Sequence, residues 1–150
     1  MAVVYKLAAI QNADGEFQPK IKISENIEKI TNPGNKTIYR IYDKETGMLR
    51  ADLICFADET FNTEEELLLF DPNATWKKTL LPGGTYTMRE LLVPIFQHGE
   101  CKYESPSVKE IAEFCRQEKR RFGMRQNVSS IQHKVYVDLS QNCTIQKPSC

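Results

Sequence analysis

Lys20 to Tyr42, KIKISENIEKITNPGNKTIYRIY, holds two runs of alternating apolar and polar residues on either side of Asn32-Pro33-Gly34-Asn35. Alternation of period two marks a strand with one covered face, so Ile21 and Ile23 among their lysines predict one strand. Thr37 to Tyr42 predicts another, with Ile38, Arg40 and Tyr42 on a common face. Between them, Pro33 fixes one backbone angle and Gly34 admits a positive one, which is what a type II turn asks of its central residues.

The same reading extends in both directions. Val3 to Ile10, VVYKLAAI, is apolar and β-branched with little alternation, as in a strand covered on both faces. Asn12 to Gly15 is a turn. Asp43 to Gly47 predicts the turn of a second hairpin, with Leu49 to Phe56 as its returning strand. Acidic Asp58 to Glu66 has no apolar face and reads as a solvated loop. Leu67 to Phe70 and Trp76 to Leu81 predict short strands separated by Asp71-Pro72-Asn73 and closed by Pro82-Gly83-Gly84. Leu91 to Phe96 predicts a strand entering a turn at His98-Gly99, with Lys102-Tyr103 as its return.

One main helix is expected near the C-terminus. Ser107-Val108-Lys109-Glu110 is a capping box, in which serine and glutamate satisfy each other's orphan backbone donors. Val108, Ile111, Ala112 and Cys115 then share one face at helical spacing, and the pattern fades after Glu118. The fold class is therefore α+β, mostly β hairpins with one main C-terminal helix.

Composition narrows the function classes. The 150 residues, 41% of them hydrophobic, suit one domain with one core. Twenty basic residues balance twenty acidic ones, and no basic stripe interleaves with aromatics, so neither a nucleic acid nor an anionic membrane is an expected partner. No apolar run is long enough to cross a bilayer, the N-terminus lacks a signal-peptide pattern, and the expected compartment is the cytoplasm. Four glycosylation sequons, at Asn35, Asn73, Asn127 and Asn142, are read as chance in such a chain. The five cysteines form no CxxC pair, which argues against a zinc cage or a disulfide framework; Cys55 and Cys115 are expected to be small buried hydrophobes. His98 reads as a turn residue, and His133 has no partner pattern that would make it a base or ligand.

The core Ser24-x-x-x-x-Lys29-x-Thr31-x-Pro33-Gly34-x-Lys36 resembles a segment of the nicotinate phosphoribosyltransferases. Glu90 to Glu118, ELLVPIFQHGECKYESPSVKEIAEFCRQE, and Val135 to Gln141, VYVDLSQ, are similar to the same family. Residues 1–10 look like its last barrel strand and residues 17–141 like its C-terminal domain, so the resemblance implies the C-terminal part of a larger, barrel-containing enzyme. Such enzymes condense nicotinate with phosphoribosyl pyrophosphate, with ATP and Mg, through a phosphorylated histidine, to give nicotinate mononucleotide for NAD. Their phosphoribosyl-binding and histidine-bearing motifs lie upstream and are not present in this chain. The resemblance therefore implies no catalytic residue here, no cofactor held by this chain, and two partners: the barrel domain and a second subunit.

A phosphoribosyltransferase needs fixed cations around its pyrophosphate and ribose phosphate. Lys29, Lys36 and Arg40, around the Pro33-Gly34 turn, are the phosphate-binding candidates; the competing reading makes them solvated surface charges. Residues 119–132 and 142–150 depart from the family pattern as frame-shifted segments would, and the first is expected to be poorly ordered. The alternative function is a stand-alone β-rich interaction or regulatory module without catalysis.

Overall fold

The computed structural model describes residues 6–23, 25, 32–122 and 136–145. At the N-terminal end, β1 (Ala9–Gln11) and β2 (Phe17–Pro19) form a small antiparallel hairpin. Its turn is held by Asn12, whose side-chain oxygen accepts the N–H groups of Asp14 and Glu16. Of the strand expected at Val3 to Ile10, residues 3–5 lie outside the described residues, only Ala9 and Ile10 join β1, and Leu7 and Ile10 are exposed. The strand expected at Ile21 and Ile23 does not form, and Ile23 is 80% exposed. Alternation alone could not supply the ladder partner that a strand requires.

The second predicted hairpin forms. β3 (Lys36–Asp43) pairs antiparallel with β4 (Leu49–Phe56) around the Asp43–Gly47 turn. The Asp43 carboxylate accepts the N–H groups of Glu45 and Thr46 and pairs with Arg50, which holds its pKa well below the usual carboxylate range. β5 (Leu67–Asp71) and β6 (Ala74–Leu81) form the next hairpin, after the expected Asp58–Glu66 loop.

The next strand departs from expectation. It is β7 (Tyr86–Glu90), paired to β3, whereas residues 91–95 have no regular structure and carry exposed Leu92 and Val93. Tyr86 and Met88 point into the core, so the weaker apolar run was the buried one. A two-residue hairpin follows, β8 (Phe96–Gln97) with β9 (Glu100–Cys101), turning at His98 and Gly99, both at positive φ as its tight turn requires. The return strand thus lies just before the Lys102-Tyr103 position expected.

α1 (Val108–Arg121) starts where the capping box placed it. The Ser107 N–H donates to Glu110 Oε2 at 2.8 Å, and the Glu110 N–H donates back to Ser107 Oγ. Lys119 to Arg121 continue the helix. The remainder of the atypical 119–132 segment, except Phe122 at the C-cap, lies outside the described residues. β10 (Val137–Leu139) then enters the middle of the sheet, parallel to β4 and antiparallel to β5. α2 (Gln141–Ile145) follows, its start tied to Ser140, whose Oγ accepts the Cys143 N–H.

The resulting six-stranded sheet runs β6-β5-β10-β4-β3-β7. Ile41, Ala51, Leu53, Cys55, Leu67, Leu69, Leu81 and Tyr86 make its core on one face. α1 meets the opposite face of β3. Cys55 is buried as expected, but Cys115 is exposed because the apolar side of α1 is largely uncovered. No helix among the described residues is long and apolar enough to cross a membrane.

Candidate functional site

The Pro33-Gly34 turn and the α1–sheet contact hold two of the three charged side chains that sequence reasoning singled out, Lys36 and Arg40. At the turn, Gly34 sits at φ +103° and a Cβ there would lie 2.4 Å from the Phe56 ring, so glycine is required both by conformation and by space. Its N–H donates to the Ala8 carbonyl at 2.8 Å and ties the N-terminal segment to the sheet. Lys36 reaches back over this turn. Its ammonium donates to the carbonyls of Asn32, Pro33 and Gly34 at 2.6, 2.9 and 2.9 Å, which engages all three of its donors. Burial lowers the Lys36 pKa, and the nearby Cys143 opposes that shift. Lys29 lies outside the described residues.

Arg40 faces away from this turn toward α1. Its guanidinium forks onto Asp52, Nε to Oδ1 at 2.7 Å and Nη2 to Oδ2 at 2.8 Å, across the directly opposed β3–β4 pair. The side-chain hydrogen bond to Asp52 raises the Arg40 pKa beyond its already high value. From α1, the nearly buried Glu118 closes the cluster. Its Oε2 accepts from Arg89 at 3.1 Å, from the Tyr42 hydroxyl at 3.2 Å and from Arg40 Nη1 at 3.4 Å, while Oε1 lies 3.7 Å from Arg121. Arg89 and Arg121 also stack over the Tyr42 ring at 5.5 and 4.7 Å. Burial chiefly raises the Tyr42 pKa.

Three arginines are thus balanced by two carboxylates and held by aromatic faces, an arrangement suited to fastening a helix to a sheet. Lys36 and Arg40 share a strand, yet the structure gives them separate partners. An open cleft of about 560 Å³ lies beside the turn, between the N-terminal hairpin and the end of β4, but Glu16 and Asp58 stand on its walls. Carboxylates repel a phosphate. The buried thiols are poor nucleophiles as well: burial pushes Cys55 up to about 12 and raises Cys143. Among the described residues no group of three or more His, Cys, Asp or Glu is placed to hold a metal ion.

Sequence reasoning missed Asp52, Arg89 and Glu118. A signal existed for Asp52, because the Asp43–Gly47 turn fixes a register that sets it opposite Arg40, and opposite charges favour that position. Glu118 gave none, since a charged residue at the fading end of an amphipathic helix normally faces water.

The arrangement of sheet and helix has relatives. A family model, the nicotinate phosphoribosyltransferase C-terminal domain, matches residues 35–147. The chain belongs to that family. A nicotinate phosphoribosyltransferase of Bacillus subtilis is 31% identical over 147 residues, covering 98% of this chain and 29% of that protein. One from Caenorhabditis elegans is 34% identical over 114 residues, covering 75% of this chain and 19% of its own length. A crystal structure of human nicotinic acid phosphoribosyltransferase superimposes with a TM-score of 0.57 at 17% identity, over 75% of this chain and 22% of that one, a likeness of fold. This nicotinate phosphoribosyltransferase C-terminal domain therefore spans less than a third of the curated relatives it matches.

Proposed function

We propose that this domain serves as the C-terminal portion of an enzyme that makes nicotinate mononucleotide from nicotinate and phosphoribosyl pyrophosphate with ATP, in cytoplasmic NAD salvage. In this reading the reaction, with ATP, Mg and phosphoribosyl pyrophosphate, takes place on a barrel contributed by another part of the enzyme, and a second subunit completes the assembly. The domain alone is inactive. Its role is to support the catalytic part, which is what the fastened but outward-facing α1 and the uncovered N-terminal hairpin are suited to do.

The observation that carries this reading is the family match over residues 35–147, on a chain whose charged clusters are spent on internal fastening. The competing reading, a stand-alone β-rich interaction module, draws on the self-contained core of the six-stranded sheet. One experiment separates them: this chain replaces the matching 147-residue segment of the Bacillus subtilis relative, and nicotinate mononucleotide formation is assayed for the fusion and for the isolated chain. The proposal expects product from the fusion and none from the chain. A folded fusion without activity, or an active isolated chain, would refute it.

A further inference from the structure

Glu118 and Ile111 lie seven positions apart on α1, a spacing that returns to within about 20° of the same direction on a helix. The side that carries Glu118 rests on the sheet, where that residue is 9% exposed. Ile111, on nearly the same side, is 52% exposed, and Val108, one turn earlier, is 84% exposed. The sheet therefore ends beneath the middle of the helix. β7, the strand nearest this overhang, is the last strand on that side of the sheet. Among the described residues, the polar and ring contacts that fasten α1 to the sheet come from Phe114, Glu118, Arg121 and Phe122. The first two turns carry an apolar underside that the described residues leave largely uncovered.

Helix propensity does not explain such a stripe, because an exposed face needs no Val, Ile or Phe to be helical. The stripe continues the plane in which α1 already packs against β3 and β7, so its occupant must extend that layer rather than cap an isolated patch. Relatives aligned along this chain carry the rest of their length, more than two thirds of each protein, outside the aligned part. The helix itself lies inside the family match. The remainder of each of those proteins lies outside the stretch that aligns with this chain.

We propose that Val108, Ile111 and Cys115, bounded by Phe114, form the surface on which the preceding catalytic portion of the same enzyme docks. This rests on the functional reading above and adds the face through which it operates. The catalytic portion presents an apolar surface beside the free side of β7, and α1 bridges from the sheet onto it. Docking would remove the exposed apolar area of Val108 and Ile111 from water, which favours association.

Cys115 provides the probe. In the isolated chain it is exposed and is expected to alkylate rapidly with a maleimide, whereas in the Bacillus subtilis fusion the rate should fall by about tenfold or more, read peptide by peptide by mass spectrometry. A fusion that makes nicotinate mononucleotide while Cys115 reacts as fast as in the free chain overturns the docking face and leaves the functional reading standing. An inactive folded fusion overturns the functional reading, and the docking face with it.

A second measurement avoids dependence on the fusion. The isolated chain is mixed with the Bacillus subtilis protein truncated before its matching segment, and co-elution is compared for wild type, Val108→Glu with Ile111→Glu, and Trp76→Glu on β6. The double variant should bind about tenfold more weakly or worse, and Trp76→Glu as wild type. Equal binding by the double variant, or assembly of the chain only with itself, would overturn the proposal. Both substituted positions are solvent-exposed in the chain, so its own circular dichroism and melting should be unchanged.

Discussion

Replacing Glu118 with alanine should release α1 while leaving the sheet folded. The side chain is 11% exposed and accepts hydrogen bonds from Arg40, Arg89 and the Tyr42 hydroxyl. Removing one partner of a buried ionic cluster typically costs about 3–5 kcal/mol. Here Asp52 still forks onto Arg40, and the half-exposed Arg89 and Arg121 can regain water, so the expected loss is about 2–3 kcal/mol. Because the polar and ring contacts of α1 all lie near its C-terminal half, that loss falls on local opening of the helix rather than on the core. Two or three kcal/mol corresponds to roughly 30- to 150-fold faster amide exchange where reclosing is fast and exchange follows the equilibrium population of the open helix. Exchange measured by mass spectrometry should therefore accelerate across 108–121, with the β3–β4 ladder still protected. Glu118→Gln, which keeps an acceptor but no charge, should fall between wild type and alanine. Wild-type protection of α1 in Glu118→Ala, or equal loss in helix and sheet, would refute the argument that this carboxylate fastens the helix.

Gly34→Ala should lower stability by about 2 kcal/mol or more, from its left-handed backbone and the clash with Phe56; adding Phe56→Ala should relieve the clash but not the backbone strain, which a double-mutant cycle on melting would separate. Lys36→Met should cost about 1–3 kcal/mol, because three turn carbonyls lose their donor, and chemical denaturation should show it as a shifted midpoint at unchanged slope. Asp138, buried in β10, has its pKa raised chiefly by that burial and further by Asp71. A carboxylate whose folded pKa exceeds its unfolded value weakens the fold above the folded pKa and not below the unfolded one, so Asp138→Asn should raise the melting temperature at pH 7, with the gain vanishing below about pH 4. A gain that persists in acid would point to packing instead of charge.

Punctuation was the legible part of this sequence. Asp43 to Gly47 and Asp71 to Asn73 fix turns through side-chain bonds to their own backbone, and the flanking strands followed almost to the residue. The capping box placed the start of α1 for the same local reason. Burial was less legible because it depends on what arrives from elsewhere in the chain. Leu91 to Phe96 is more apolar than Tyr86 to Glu90, yet the latter pairs with β3, and Ile21 and Ile23 alternate without a ladder to join. At the candidate site, the cations near the turn were visible, but their partners were not: the Lys36 carbonyls depend on how the chain folds back, and Glu118 reaches Arg40 from 78 residues away. Of the segments that resemble the family, Glu90 to Glu118 and Val135 to Gln141 fall inside the match over residues 35–147, whereas most of the Ser24–Lys36 core lies before it.

β10 joins β4 to β5 but follows every other strand of the sheet in the chain, so the sheet's keystone is made after the strands that it joins. During translation the β3–β4 and β5–β6 hairpins can each form soon after they emerge, but each then presents an open ladder edge toward the other. Assembly must wait for residues 137–139, and the long separation makes that closure slow. A ribosome stalled anywhere between β6 and β10 would hold two sticky half-sheets, the state in which chaperone capture or mispairing between neighbouring nascent chains is favoured.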